Sequence, residues 1–342
     1  MKRLLPYTLL ICLLLTATGC IDEEHQKDTP QGNFEALWQI IDQKYCFFDY
    51  KQVDWDDVYH RYSRLITPTM SDEGLFEVLG DMLAELKDGH VNLYSTHNTA
   101  RYWDWYLDYP RNYNEEIIER HYLGRDYRIA GGIKYTILDD NVGYLLYESF
   151  TNGVGESNLD EALSYLAACN GLIVDVRNNG GGNLTYAERL ARRFTNERVL
   201  TGYIQHKTGP GHNDFSSLQP IHLDPATDRV RWQKPVCVLV NRHSYSATNN
   251  FICAMKLLPQ VTLVGDKSGG GSGLPFSSEL PNGWGVRFSA SPHYDAQKQQ
   301  IEFGIDPDIQ VDMSDEDKEK NLDTIIETAR RQLSLSASGV GR

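Results

Sequence analysis

The chain has 342 residues, with 47 acidic against 33 basic side chains and a net charge of −14 when histidine is counted as neutral. So acidic a surface disfavours nucleic acid or an anionic membrane face as a partner. No internal repeat or low-complexity stretch stands out, and no CxxC or Cys/His spacing suggests a metal site or a disulfide framework.

The first nineteen residues read as a secretory signal: Lys2 and Arg3, then an apolar run from Leu9 to Leu15, then the small residues Ala17, Thr18 and Gly19. The apolar run is too short to span a bilayer. "TATGC", with Cys20 directly after the small residues, resembles the lipobox of bacterial lipoproteins, which implies lipidation of Cys20 and a membrane anchor in the cell envelope. Removing residues 1–19 takes away two bases and no acid, leaving a charge of −16. Residues 20–32 are almost devoid of apolar side chains and read as an acidic tether. The acidic start of the tether resembles the surface-export signal of some Bacteroidetes lipoproteins, which points to the outer membrane and its outer face. Of the six cysteines, four follow Cys20. Cys169, Cys237 and Cys253 sit in apolar runs and read as buried free thiols.

Residues 33–95 read as a helical domain. "FEALWQIIDQKY" places Phe34, Leu37, Ile40 and Ile41 on one face. "SDEGLFEVLGDMLAELKDG" begins at a Ser71 cap, repeats Leu75, Leu79, Met82, Leu83 and Leu86 at helical spacing, and ends at Gly89. That helix delivers "DGHV", and His90 with it, to a loop. Residues 96–140 are aromatic and irregular and read as a connection that covers something. From residue 141 to 336 the pattern is α/β. "VGYLLYESF", "GLIVDV", "PVCVLV" and "VTLVG" read as strands, and the apolar runs among them suit a parallel sheet. Helices read from "SNLDEALSYLAAC" (capped by Ser157 or Asn158), "LTYAERLARRF", residues 246–258 and residues 315–333. "LPFSSELPNGWGVRFSAS" reads as a hairpin turned at Asn282-Gly283. Alternating strands and helices give a parallel sheet covered by helices, with its site beyond the carboxyl ends of the strands.

Two loops fall at that edge. "DVRNNGGGN" places three glycines between a buried strand and a helix, so backbone N–H groups there can face a phosphate or a developing oxyanion, although neither GxxxxGK[ST] nor GxGxxG is present. A tight strand-to-helix turn is the plainer reading. "NRHSYSATNN" puts Ser246 where a strand gives way to a helix, the geometry of a nucleophile elbow without its GxSxG. A serine there also serves as an ordinary helix cap.

"GLIVDVRNNGGGN", "VCVLVNRHSYSATNNFICAMKLLPQVTLVGDKSGGG" and "IEFGIDPDIQV" together resemble the C-terminal processing (tail-specific) serine peptidases, the family that includes the tricorn core. "FEALWQIIDQKYCFFDYKQVDWDDVYHRY…LKDGHVNL" resembles the helical domain of the tricorn-like branch. The resemblance implies an α/β, ClpP/crotonase-like core with a small helical N-terminal domain, and it makes Ser246 the nucleophile, with Ser244 shaping the turn. The family's Ser–Lys enzymes carry lysine where this chain has Gly271, and Lys267 comes four residues early. The other branch uses a Ser–His–Glu triad, which the resemblance maps onto Ser246, His90 and Glu302. His243 and His293 are reserve bases, and Glu279 is the reserve acid. Ala247 and Gly181, with Gly180 next, are the implied oxyanion donors, while Arg177 and Asn178 hold the loop. About 45 residues separate Leu93 from Val142, about half of what a PDZ domain needs, so none is expected between helical part and core.

The expected function is serine peptidase chemistry on a peptide or protein substrate, with no metal or organic cofactor. Rival readings are a non-proteolytic binding protein for an apolar ligand or peptide, lined by the aromatic stretch at 102–127, and an esterase-type hydrolase. A crotonase-type acyl-CoA enzyme is disfavoured because a secreted protein rarely meets CoA.

Overall fold

The computed structural model describes residues 26–337; the signal segment 1–19 and Cys20 lie outside the described residues. Four helices open the fold: α1 (Pro30–Lys44), α2 (Phe48–Lys51), α3 (Trp55–Tyr62) and α4 (Asp72–Ala84). Thr29, Asp54 and Ser71 each cap a helix start by accepting a backbone N–H, and Pro30 occupies the first helical position of α1, where no donor is needed. Helix α4 stops at Ala84, earlier than the Gly89 expected, and residues 85–91 form the loop that carries His90.

The strands follow as β1 (Asn92–Tyr94), β2 (Thr99–Arg101), β3 (Arg128–Ala130), β4 (Ile133–Ile137), β5 (Val142–Leu146), β6 (Gly171–Asp175), β7 (Val199–Ile204), β8 (Gln219–Leu223), β9 (Val236–Val240), β10 (Val261–Gly265), β11 (Gly273–Glu279), β12 (Gly285–Asp295) and β13 (Ile309–Gln310). The later helices are α5 (Glu156–Leu166), α6 (Leu184–Ala191), α7 (Ala247–Lys256) and α8 (Thr324–Ala337), with a short helix at Asp315–Glu319. Asn158 reaches back from inside α5 to accept the Gly155 N–H, so it braces the start without being the cap residue. The single helix expected over 315–333 is broken: Asp323 Oδ1 accepts the N–H groups of Ile325 and Ile326 and starts α8 afresh.

A seven-stranded sheet runs β13-β10-β9-β6-β5-β4-β3. It is parallel from β13 to β5 and antiparallel at β4 and β3. Every residue of β5, β6 and β9 is buried, which is why these strands are apolar runs without alternation. One face packs against α5, α6 and α7, and the other against α8 and the 113–123 segment. Strands β3 and β4 come from the stretch read as a connection; there the short β3 carries Arg128, and Gly131-Gly132 makes the turn.

A second sheet runs β2-β1-β12-β7-β8 with β11 on β12; of it the sequence led us to expect only the β11–β12 hairpin, which forms and turns at Asn282-Gly283. The sheet packs Leu93, Val286 and Phe288 against α1 and α4, so the helical segment and the core share one apolar cluster. The carboxyl end of β9 and the paired strands β1 and β12 meet at the site.

Candidate active site

Strand β9 ends at Val240, and the chain must reverse into α7 within six residues. Ser244 supplies the scaffold of that turn. It is fully buried, its hydroxyl donates to the Val176 carbonyl at 2.9 Å, and the Asn241 N–H donates to it at 3.1 Å. Ser246 instead takes φ 61° and ψ −121°, a region that a side chain occupies at a cost of about 1–3 kcal/mol. Bonds from Ser246 N–H to the Gly270 carbonyl (2.8 Å) and from Tyr245 N–H to the Asn179 carbonyl (3.1 Å) hold this backbone. The strained turn presents Oγ at the sheet edge, beside the start of α7. Ala247 N–H, in the first turn of that helix, has no carbonyl of its own helix to reach.

The glycine loop packs directly on this turn. At Gly181, with φ 94°, a Cβ would sit 2.7 Å from the Tyr245 carbonyl oxygen, 2.8 Å from Ser246 Cβ and 3.0 Å from Ala247 N. Only glycine fits there. The Gly181 N–H, expected as an oxyanion donor, is already engaged: it donates to Asn179 Oδ1 at 3.0 Å. That same oxygen accepts the Thr248 hydroxyl at 2.7 Å, so Asn179 ties the loop to α7. No bond of the Gly180 N–H is found among the described residues. Beneath the loop, fully buried Arg177 pairs with Asp175 (2.7 Å) and Asp323 (2.9 Å).

His90 arrives from the helical side. Its Nε2 lies 2.9 Å from Ser246 Oγ, and the residue is 3 % exposed. The His90 N–H donates to Asp88 Oδ1 at 2.8 Å. Asp88 Oδ2 accepts the hydroxyls of Tyr45 (3.0 Å) and Ser289 (2.9 Å). The Lys51 ammonium stands 3.4 Å from Asp88 Oδ2 and 2.8 Å from Glu302 Oε1. Glu302, expected to orient His90, is thus turned to Lys51, and its Oε2 accepts the Ser272 N–H at 2.7 Å. The physical reason is satisfaction: a buried carboxylate takes a cation and a backbone donor in reach. Among the described residues His90 Nδ1 has no hydrogen bond, though the Gly273 carbonyl is close enough to favour a proton on the ring.

Burial pushes His90 down to about 4; Asp88 opposes the shift, and Arg287 and Lys51 add to it. The ring is therefore neutral at pH 7 and can accept a proton. Burial raises Asp88, but Lys51, His90 and the His90 N–H more than offset it and hold it below its ordinary value. Burial, joined by Asp88 and opposed by Lys51, raises Glu302. With both acids ionised, Lys51, Asp88 and Glu302 carry one net negative charge, which becomes neutral when His90 is protonated.

Of the reserve residues, His243 and His293 line the cleft but are engaged by other partners, while Lys267 and Glu279 lie away from it. Lys267 pairs with Asp306 at 3.3 Å on the surface. Gly271, with φ 74°, lies against the Tyr245 ring, so no lysine side chain fits there. His243 packs edge-on against Tyr106 (3.9 Å between rings), and His293 Nδ1 is 2.7 Å from the Ser272 carbonyl oxygen. Glu279 ends β11, opposite Gly285. Lys51, Asp88 and Asn179 were not singled out from the sequence. Asp88 is written two residues before His90 in "DGH", whereas Lys51 carries no local sign of its role.

The cleft runs both ways from Ser246. On one side it is walled by Tyr94, Trp103, Trp105, Tyr106 and the glycine loop, with about 1070 Å³ of open space. On the other it passes Leu184, Leu274, Pro275 and His293. An extended chain can thus cross the serine.

The sequence profile of peptidase family S41 matches residues 141–311, and that of the tricorn protease C1 domain matches residues 26–84. The chain is 27 % identical over 209 residues to a carboxy-terminal-processing protease of Bartonella bacilliformis, covering 59 % of this chain and 46 % of that protein. It is 30 % identical over 179 residues to a carboxyl-terminal-processing protease of Synechocystis, covering 50 % of this chain and 39 % of that one. It therefore spans less than half the length of these curated relatives. A crystal structure of a candidate peptidase from Parabacteroides merdae superposes with a TM-score of 0.86 at 59 % identity, over 90 % of this chain and 97 % of that one. Mature CPAF complexed with lactacystin superposes with a TM-score of 0.73 at 11 % identity, over 91 % and 99 % of the two chains, a likeness of fold alone. The fold shared with these structures is the ClpP/crotonase-like α/β fold that the sequence led us to expect.

Proposed function

The chain belongs to peptidase family S41, and on that premise we propose that it is a serine peptidase in which Ser246 is the nucleophile and His90 its general base. The observation that carries this reading is the 2.9 Å approach of a neutral, buried imidazole to a serine held at φ 61°. A serine that only capped α7 would need neither feature.

Ser246 Oγ attacks the scissile carbonyl carbon as its proton passes to His90 Nε2. Negative charge then collects on the carbonyl oxygen, which faces the Ala247 N–H and an N–H of the glycine loop, Gly180 or Gly181. Gly180 offers the freer donor; Gly181 must first leave Asn179. Collapse of the tetrahedral species breaks the C–N bond, and His90 returns its proton to the departing amine. Water, deprotonated by His90, then hydrolyses the acyl ester and frees Ser246.

Glu302 acts here through charge. The net negative Lys51–Asp88–Glu302 cluster favours the imidazolium that forms during attack, and His90 Nδ1 is left open to a carboxylate that swings from Lys51. The substrate is a peptide or protein segment lying through the cleft. Anchorage through a lipid on Cys20, after removal of residues 1–19 and by way of the 20–32 tether, belongs to the same proposal. Cys20→Ser should abolish incorporation of labelled palmitate.

The test is to offer matched peptide amides and small esters side by side and look for an acyl adduct on Ser246 by intact mass. Amide cleavage through that adduct supports a peptidase; ester turnover alone makes it an esterase-type hydrolase.

A further inference from the structure

Three strands at the rim of the cleft place two arginines where no acid answers them. In the register of the second sheet, Asn92 on β1 stands opposite Arg287 on β12 and opposite Arg101 on β2. Side chains directly opposite one another share a face of the sheet. Arg287, Asn92 and Arg101 therefore form a row on one face, while the neighbouring Leu93–Val286 pair points the other way into the apolar cluster of the helical segment.

The row lines the cleft together with His90, Ser246 and Gly180–Gly182. Arg287 also lines the continuation of the cleft on the other side of Ser246. Adjacent strands lie about 4.8 Å apart, so the two arginine backbones are about 10 Å from each other, within reach of a common or adjoining ligand group. Among the described residues neither guanidinium has a carboxylate within ion-pair distance. That is notable in a chain where acids outnumber bases 47 to 33. Arg101 Cζ lies over the rings of Tyr94 (5.9 Å) and Trp103 (5.5 Å), cation–π contacts that order its side chain without using its donors.

An unanswered cation beside the base is unfavourable for the chemistry. Ser246 attack puts a positive charge on His90, and Arg287 disfavours that charge. An anion bound to Arg287 during the reaction removes the conflict and adds charge-assisted hydrogen bonds of fixed geometry. We propose that Arg287, assisted by Arg101, forms a subsite that takes a carboxylate of the peptide substrate beside Ser246. The subsite rests on the peptidase reading for its substrate class. Two sources supply the same chemistry, the free C-terminus of a peptide or an Asp or Glu side chain.

Binding is measured first, apart from catalysis. The Ser246→Ala chain is titrated, by fluorescence anisotropy, with three dye-labelled peptides of one neutral sequence: the C-terminal amide, the free acid, and the amide with one internal Glu. At least one carboxylate peptide should bind about tenfold more tightly than the neutral amide, the gain expected of charge-assisted bonds. A gain for the free acid alone identifies the terminus as source, and a gain for the Glu peptide identifies the side chain. Arg287→Gln in the same background should level the affinities, and Arg101→Gln should cut the preference in part. Because β12 is an inner strand, labelling of the Arg287→Gln chain (with Ser246 intact) by a neutral fluorophosphonate checks that the site is formed. Should that variant not fold, Arg101→Gln decides. Equal affinity for all three peptides, or a preference untouched by the arginine changes, overturns the proposal. Wild type that binds acidic peptides and cleaves none of them leaves the subsite standing and overturns the peptidase reading instead.

Discussion

Ser246 and His90 meet at 2.9 Å, yet the two sides of that contact are built by different means. Ser246 is placed by backbone: a buried parallel strand, a turn fixed through Ser244 and Asn241, and glycines that let the next loop press against it. His90 is placed by buried charge, with Asp88, Lys51 and Glu302 drawn from a loop, a four-residue helix and the segment after β12. A backbone-built element is rigid and tolerates little change in shape. A charge-built one depends on every partner being present, because removing one leaves the others buried and unpaired.

The contrast is sharpest at Lys51. Its side chain is 5 % exposed, and replacing it with methionine strands Asp88 and Glu302. Lys51→Met should lower unfolding free energy by about 3–5 kcal/mol, measured by denaturant titration. The Lys51→Met/Glu302→Gln chain should recover part of that loss. A Lys51→Met chain as stable as wild type breaks the idea that charge builds this side.

On the backbone side, Gly181→Ala should cut kcat by about 10²–10³, the scale of a lost oxyanion donor, because its Cβ displaces the loop from Ala247 N. KM should change less. A kcat near wild type would mean that the glycine loop is only a turn.

Acidity separates the halves further. Folding depresses His90 from its ordinary 6.5 to about 4, so the neutral ring adds stability that is complete above pH 6.5 and lost as pH falls through about 4. The acid limb of kcat/KM should accordingly fall near pH 4. In Lys51→Met it should move up toward 6.5, since Lys51 is one of the cations that disfavour the imidazolium and Asp88 remains. A wild-type limb at 6.5 or above contradicts the buried, neutral base. The smallest effect belongs to Lys267→Met: with Lys267 paired to Asp306 at the surface, kcat/KM should stay within about twofold of wild type, as for an isolated surface pair.

The same division decides what could be read from the sequence. Strands β5, β6 and β9 are legible because burial on both faces leaves runs that are apolar apart from Asp175 at the end of β6, which Arg177 pairs. Ser246 and the glycines are legible because a strand-to-helix turn writes its needs into adjacent positions. Strands β1 and β2 escape notice: each is three residues long, with mixed patterns such as Asn92-Leu93-Tyr94. Strands β7 and β8 are half-buried and carry Gly202 and Pro220, which blur the alternation. Lys51 is illegible for another reason. Its meaning lies in Asp88 and Glu302, distant in sequence, and nothing in "FDYK" announces a buried ammonium. Glu302 was marked through resemblance, but its turn toward Lys51 depends on that same unseen partner.

The most direct measurement is labelling by a fluorophosphonate probe, located by mass spectrometry, in wild type, Ser246→Ala and His90→Ala. A Ser246–His90 pair predicts a single labelled site at Ser246 in wild type, none in Ser246→Ala, and a labelling rate reduced by about 10⁴ or more in His90→Ala. Labelling of Ser246 that survives loss of His90 at an undiminished rate, or a folded wild type that takes no label, would contradict it.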